Sequence, residues 1–207
     1  MRIYIEALLL FIIIFFSGPQ TAAEGFSVTA ELQKIFLYSV PSIALIWFMI
    51  LRVKQVKDCK IKPCKNDIIS CLIAFPCLLI IGFAAAFSSS YFGETLMRMP
   101  ARSPSTAAGW AILSLSCIFA AYLEESFFRF YFLARRDELK LNAVSAVFFS
   151  AVLFSICHIY EGPWGFLNSL FSAVILAFIY LRFQSLHGIA FAHGFYNITA
   201  FILTQPA

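Results

Sequence analysis

The run AAGWAILSLSCIFAAYLEESFFRFYF, residues 107 to 132, is long and apolar enough to cross a bilayer, yet it carries Glu124, Glu125 and Arg129 in its second half. A hydrocarbon core about 30 Å thick is crossed by roughly 20 residues of helix. Lipid offers no partners for charges, so ionisable groups in such a run face the inside of a bundle and mark a functional site by default. The runs on either side support that reading. Apolar stretches at about 3–16, 35–51, 68–87, 107–132, 141–159, 166–183 and 186–204 predict seven transmembrane helices in an all-α polytopic bundle.

Composition points the same way. A mean hydropathy of +0.86, with 61% hydrophobic and 13% charged residues, lies far outside the soluble range. The 207 residues leave little room beyond the spans, so one membrane domain over 1–207 is expected. The net charge of +4 sits in loops and carries no nucleic-acid signal. Arg52 to Asp67 holds six Lys or Arg residues, and Arg135, Arg136 and Lys140 form the next cluster. Both are expected on the cytoplasmic side, two spans apart. Tyr38, Tyr91, Trp110, Tyr160 and Trp164 then fall near the opposite interface, and the chain starts inside and ends outside. The first run, followed by SGPQTAAEG, also fits a cleaved signal peptide ending at Ala23, with small residues at Thr21 and Ala23. Glu6 within it favours a retained helix.

Cys59, Cys64, Cys71, Cys77, Cys117 and Cys157 form no C-x-x-C pattern, and most read as ordinary buried thiols. Cys59 and Cys64 flank a loop expected in the reducing cytosol, which disfavours a disulfide or structural metal there. The 25 phenylalanines read as lipid-facing and packing bulk.

At about 100° per residue, Glu125 and Arg129 share a helical face and can neutralise each other, whereas Glu124 is rotated away with no local partner. Merely inserting such a carboxyl costs about 3 kcal/mol, so its partners are expected on other helices. Phe154 and His158 stand four apart on one following run, and His193 and Asn197 four apart on another. One free glutamate, two histidines and an asparagine supply a base and hydrogen-bond donors, with water as the natural nucleophile. Taken singly, each polar group can instead tie helices together by hydrogen bonds of ~0.6–2 kcal/mol. Their joint occurrence is what favours chemistry. Phe154 reads as packing, and His187 as an interface residue.

In order, EESFFR (124–129), FSICH (154–158) and HGFYN (193–197) resemble the E-E-x-x-x-R, F-x-x-x-H and H-x-x-x-N motifs of the CPBP intramembrane proteases, which include CAAX prenyl proteases and bacteriocin-processing enzymes. The resemblance covers about residues 105–205. It implies hydrolysis of a peptide bond in a membrane-associated peptide or protein, with Glu124 and His158 positioning and deprotonating a water. It further implies that His193 and Asn197 stabilise the oxyanion and that Glu125 and Arg129 brace the site. No cofactor is expected. Two histidines and a glutamate leave zinc open as an alternative, although H-E-x-x-H is absent.

A bacterial inner-membrane enzyme is expected from the short loops, and its task would be trimming a C-terminal sorting tag or processing a peptide. The alternatives are a proton-coupled transporter, with the carboxylates and histidines as a relay, and a non-catalytic peptide-binding or immunity protein. No pair of matching half-sequences suggests inverted repeats. With straight helices, His158 and His193 are expected about 15 Å or more apart along the membrane normal, too far to share one water.

Overall fold

The computed structural model describes residues 2–16, 26–52, 63–93 and 104–203, and the described residues are helical with no strand. Among the described residues, seven long helices follow one another: α1 (Arg2–Phe16), α2 (Val28–Leu51), α3 (Lys65–Tyr91), α4 (Ala107–Leu133), α5 (Ala143–Ile156), α6 (Gly162–Phe183) and α7 (Leu186–Leu203). Local chemistry sets several of the starts. Thr106 Oγ1 accepts from Gly109 N at 3.1 Å, and Asn142 Oδ1 from Ser145 N at 2.8 Å, each satisfying an orphan donor of the first turn. The Cys59 and signal-cleavage readings, and most of the basic loop after Arg52, lie outside the described residues.

Among the described residues, five helical stretches are long and apolar enough to cross a membrane: Val28–Leu51, Lys65–Tyr91, Ala107–Leu133, Ile159–Phe183 and Leu186–Leu203. Two of the seven expected runs fall short of that length among the described residues. At 1.5 Å per residue, the 15 residues of α1 and the 14 of α5 reach only about 20 Å, short of a 30 Å core. The outer face suits lipid, with Leu72, Phe87, Phe148 and Phe178 all exposed. Phenylalanine therefore serves both surfaces, as expected.

Helix α1 is built into the fold despite its length. Leu10, Phe11 and Ile14 are buried, and Phe11 and Phe15 pack against Phe127 and Phe128 of α4. Glu6 accepts from Tyr131 Oη at 2.7 Å and Arg135 Nη1 at 2.5 Å, so its charge is compensated where α1 meets the end of α4. Arg135 is held in turn by a fork to Glu138 at 3.1 and 2.9 Å.

The centre of the bundle is α7 packed against α3 and α4, with α6 against α3 and α5. Small residues permit this approach. A Cβ on Gly194 would stand 3.0 Å from the backbone of Ile118, and one on Gly188 would overlap Ser70 Oγ and the Asp67 carbonyl. That corner is also tied by polar contacts: Ser185 Oγ donates to Asp67 Oδ1 at 2.5 Å, Ser70 Oγ to Ser185 Oγ at 2.9 Å, and Asn66 Nδ2 to Phe183 O at 3.1 Å. Because a backbone carbonyl cannot rotate away, Gly188→Ala is expected to destabilise the protein by about 1–3 kcal/mol. Thermal unfolding in detergent measures it; an unchanged midpoint would mean that α3 and α7 do not approach this closely.

Two departures from regular helix lie beside the polar motifs. Residues Ser126–Leu133 of α4 are wound as a π-helix, seen in the bond from Ala134 N to Arg129 O, and such insertions are frequent at functional sites. Helix α5 stops at Ile156, about three residues short of the end of its apolar run. The chain turns through His158, makes a 3₁₀ turn at Ile159–Glu161 and enters α6 at Gly162, whose φ of +85° is open to glycine but strained for other residues. His158 thus sits on a turn at the end of a short helix, and the depth argument based on straight spans does not apply to it.

Candidate active site

The buried end of α4 carries the charges. Glu125 and Arg129 are fully enclosed, with Glu125 Oε2 3.1 Å from Arg129 Nε. The guanidinium also donates from Nη2 to Ala173 O of α6 at 3.2 Å and lies 5.0 Å over the Phe154 ring and 5.9 Å over Phe128. A buried arginine is thus met by a carboxylate, a carbonyl and two ring faces.

Glu125 has a second partner that i,i+4 spacing did not reveal. Its Oε1 lies 2.8 Å from His193 Nδ1 on α7. A carboxylate paired with arginine accepts only, so His193 Nδ1 carries the hydrogen and Nε2 points the other way. That Nε2 stands 3.6 Å from Glu124 Oε2, and His193 is therefore held between the two adjacent glutamates. Glu124 is the more open of the pair, with its side chain 21% exposed against 0% for Glu125. Glu124 Oε2 is buried and makes no hydrogen bond among the described residues.

His158 reaches the same place through Phe154. The two rings stack at 4.5 Å, and Phe154 meets His193 edge-on at 5.9 Å. Both histidines therefore lie against one phenyl ring, which corrects the expected separation of 15 Å. Phe154 does pack, as expected, but it packs as the wall between the two imidazoles and beneath Arg129. His158 Nδ1 is 2.9 Å from the Phe154 carbonyl, which can only accept. Its neutral form therefore carries hydrogen on Nδ1 and a lone pair on Nε2.

Asn197 lies one turn beyond His193 on α7, half-buried, and its side-chain amide makes no hydrogen bond among the described residues. His187 is elsewhere: its Nδ1 is 3.0 Å from Tyr122 Oη, and its ring packs edge-on to Trp47. Glu161 was not singled out from the sequence as part of this cluster. It is half-buried and lies within electrostatic reach of His158, Glu124 and His193. Its signal was available, a carboxylate three residues after a motif histidine, but a long helix through 159 placed it at a membrane surface.

The formal charges of Glu124, Glu125 and Arg129 leave one net negative charge, which a protonated His193 would cancel. In that state Nδ1–H donates to Glu125 and Nε2–H is available to an incoming anion. Among the described residues, no three His, Cys, Asp or Glu side chains are gathered as a metal-ligand set.

Residues 106–199 match the family model described as Type II CAAX prenyl endopeptidase Rce1-like. No curated protein and no solved structure matches the chain. The matched segment begins at the cap of α4 and includes every motif residue described above. It supports a CPBP family intramembrane protease, and together with the five apolar helices it supports an integral membrane protein.

Proposed function

Proceeding from that match, we propose that this chain is an intramembrane endopeptidase of glutamic type, hydrolysing a peptide bond of a membrane-associated peptide or protein. The observation that carries the reading is the pair of unlike glutamates on either side of His193. Glu125 is committed to Arg129 and His193 Nδ1, while the buried oxygen of Glu124 has no hydrogen-bond partner among the described residues.

In this mechanism a water lies between Glu124 and His158 Nε2, one hydrogen directed at each. Glu124 takes a proton as the water oxygen adds to the scissile carbonyl carbon. The carbonyl oxygen becomes an oxyanion, stabilised by His193 Nε2–H and the Asn197 amide in a site shielded from bulk water. Collapse of the tetrahedral intermediate breaks the C–N bond, and the proton held by Glu124 passes to the leaving nitrogen. The products are a carboxylate and an amine. Glu125 and Arg129 keep His193 in register and do not touch the substrate.

The substrate we propose bears a C-terminal sorting tag or a peptide presented at the membrane, and the address we propose is a bacterial inner membrane. Purified protein in liposomes, incubated with membrane peptides and analysed by mass spectrometry, tests the activity. Defined cleavage products are expected, whereas proton flux dependent on Glu124 without any product would favour a transporter. Two results would support the catalytic roles. Asn197→Ala is expected to lower kcat about 100-fold with KM nearly unchanged, because an oxyanion donor acts in the transition state. Turnover is expected to survive chelator, and one equivalent of zinc with chelator-sensitive cleavage would overturn the metal-free route.

A further inference from the structure

Glu161 has a position that helix architecture does not explain. It is the residue before the first turn of α6, where a carboxylate ordinarily caps the helix, yet its side chain makes no capping hydrogen bond. The backbone instead ties it to the site. Glu161 N donates to His158 O at 3.0 Å, so the 3₁₀ turn fixes the two residues relative to each other. The whole side chain folds back over Gly165: a Cβ on that glycine would overlap Glu161 Cβ and stand 3.0 Å from Oε2. Tyr160, between them in sequence, lays its ring parallel to His158 at 6.3 Å. Among the described residues, the charged and titratable groups around Glu161 include His158, Tyr160, Glu124 and His193.

The two histidines differ in their supports. His193 donates from Nδ1 to the carboxylate of Glu125, whereas among the described residues His158 donates to the neutral carbonyl of Phe154 alone. An imidazole that accepts a hydrogen bond from water gains partial positive charge, which a dipole alone stabilises weakly in a low-dielectric site. We propose that Glu161 is a third carboxylate of the site, a positioning residue that steadies His158 and stabilises the partial positive charge its imidazole takes on while it holds the second hydrogen of the water. Gly165 is the clearance that lets the Glu161 side chain lie there. This inference rests on the role given to His158 in the mechanism above.

The experiment compares Glu161→Gln, Glu161→Asp and Gly165→Ala with the full-length wild type on a membrane peptide that the wild type cleaves. Glu161→Gln is expected to lower kcat about tenfold, with KM within about twofold and the thermal midpoint unchanged. Glu161→Asp, which keeps the charge, is expected to recover most of kcat. Gly165→Ala meets the Glu161 side chain first at Cβ, which the new methyl overlaps, so it displaces the whole side chain, and it is expected to lower kcat in the same direction. A Glu161→Gln enzyme within about twofold of wild-type kcat would overturn the proposal. So would an equal loss in the Gln and Asp variants accompanied by a lowered midpoint, the mark of a structural role. Glu124→Gln separates the two readings: if it is inactive while Glu161→Gln is unimpaired, only this inference fails. If Glu124→Gln retains turnover, the mechanism beneath it fails as well.

Discussion

Glu124→Gln is expected to lower peptide cleavage at least about 10³-fold while the protein stays folded in detergent. Both halves follow from the same geometry. The amide matches the carboxylate in shape but cannot take a proton, so the chemical step loses its base. Stability is spared because Glu124 Oε2 makes no hydrogen bond within the described residues, and its nearest charged neighbour, His193 Nε2, is 3.6 Å away. Folding does not rest on that oxygen. Single-turnover cleavage in liposomes, paired with a thermal midpoint, measures the two quantities independently. Retained turnover would remove Glu124 as the base, and a collapsed midpoint would show that it is a structural strut.

The contrast between neighbouring glutamates was legible in the sequence, and the reason is simple. A four-residue spacing on one helix fixes which of Glu124 and Glu125 can face Arg129, whatever the rest of the fold does. The apolar runs likewise mark where the described helices lie along the chain. What could not be read was where helices end inside apolar sequence. Nothing in FSICHIY breaks a helix, and the stop at Ile156 depends on the turn through His158 and on Gly162 four residues later. That stop is what leaves His158 stacked on Phe154, across the ring from His193.

Tertiary partners were hidden for a different reason. Glu125 was assigned to Arg129 alone, since only a neighbouring helix could reveal that His193 takes its other oxygen. The close approach that makes this possible lies at Gly194, next to His193, where α7 lies against Ile118 of α4. Glycine in HGFYN therefore has a packing reason that the motif pattern does not express. The π-helical winding of Ser126–Leu133 likewise has no local sequence cause, and its carbonyls are partly taken up by other helices, as when Ser150 Oγ donates to Phe128 O at 2.9 Å.

The buried pair allows stability and catalysis to be pulled apart. Glu125→Gln is expected to destabilise the protein by about 3–5 kcal/mol, because Arg129 is fully enclosed and would keep its charge with no carboxylate beside it. Its remaining contacts, the Ala173 carbonyl and the faces of Phe154 and Phe128, are dipoles and rings that offset only part of that cost. The double variant Glu125→Gln/Arg129→Met removes the stranded charge as well. Its midpoint is expected to return close to that of the wild type, since replacing a whole buried pair is often neutral or stabilising. Cleavage is expected to stay lost in both, for a reason unrelated to folding. A neutral amide at 125 no longer fixes the hydrogen on His193 Nδ1, nor does it favour the protonated imidazole that the oxyanion requires. Thermal unfolding in detergent and cleavage in liposomes, run on the same preparations, give both readouts. A Glu125→Gln protein with a wild-type midpoint would show that the pair is not ionised. A double variant that regained cleavage with its stability would show that Glu125 and Arg129 serve the fold alone, and that His193 does not depend on them for its part in the chemistry.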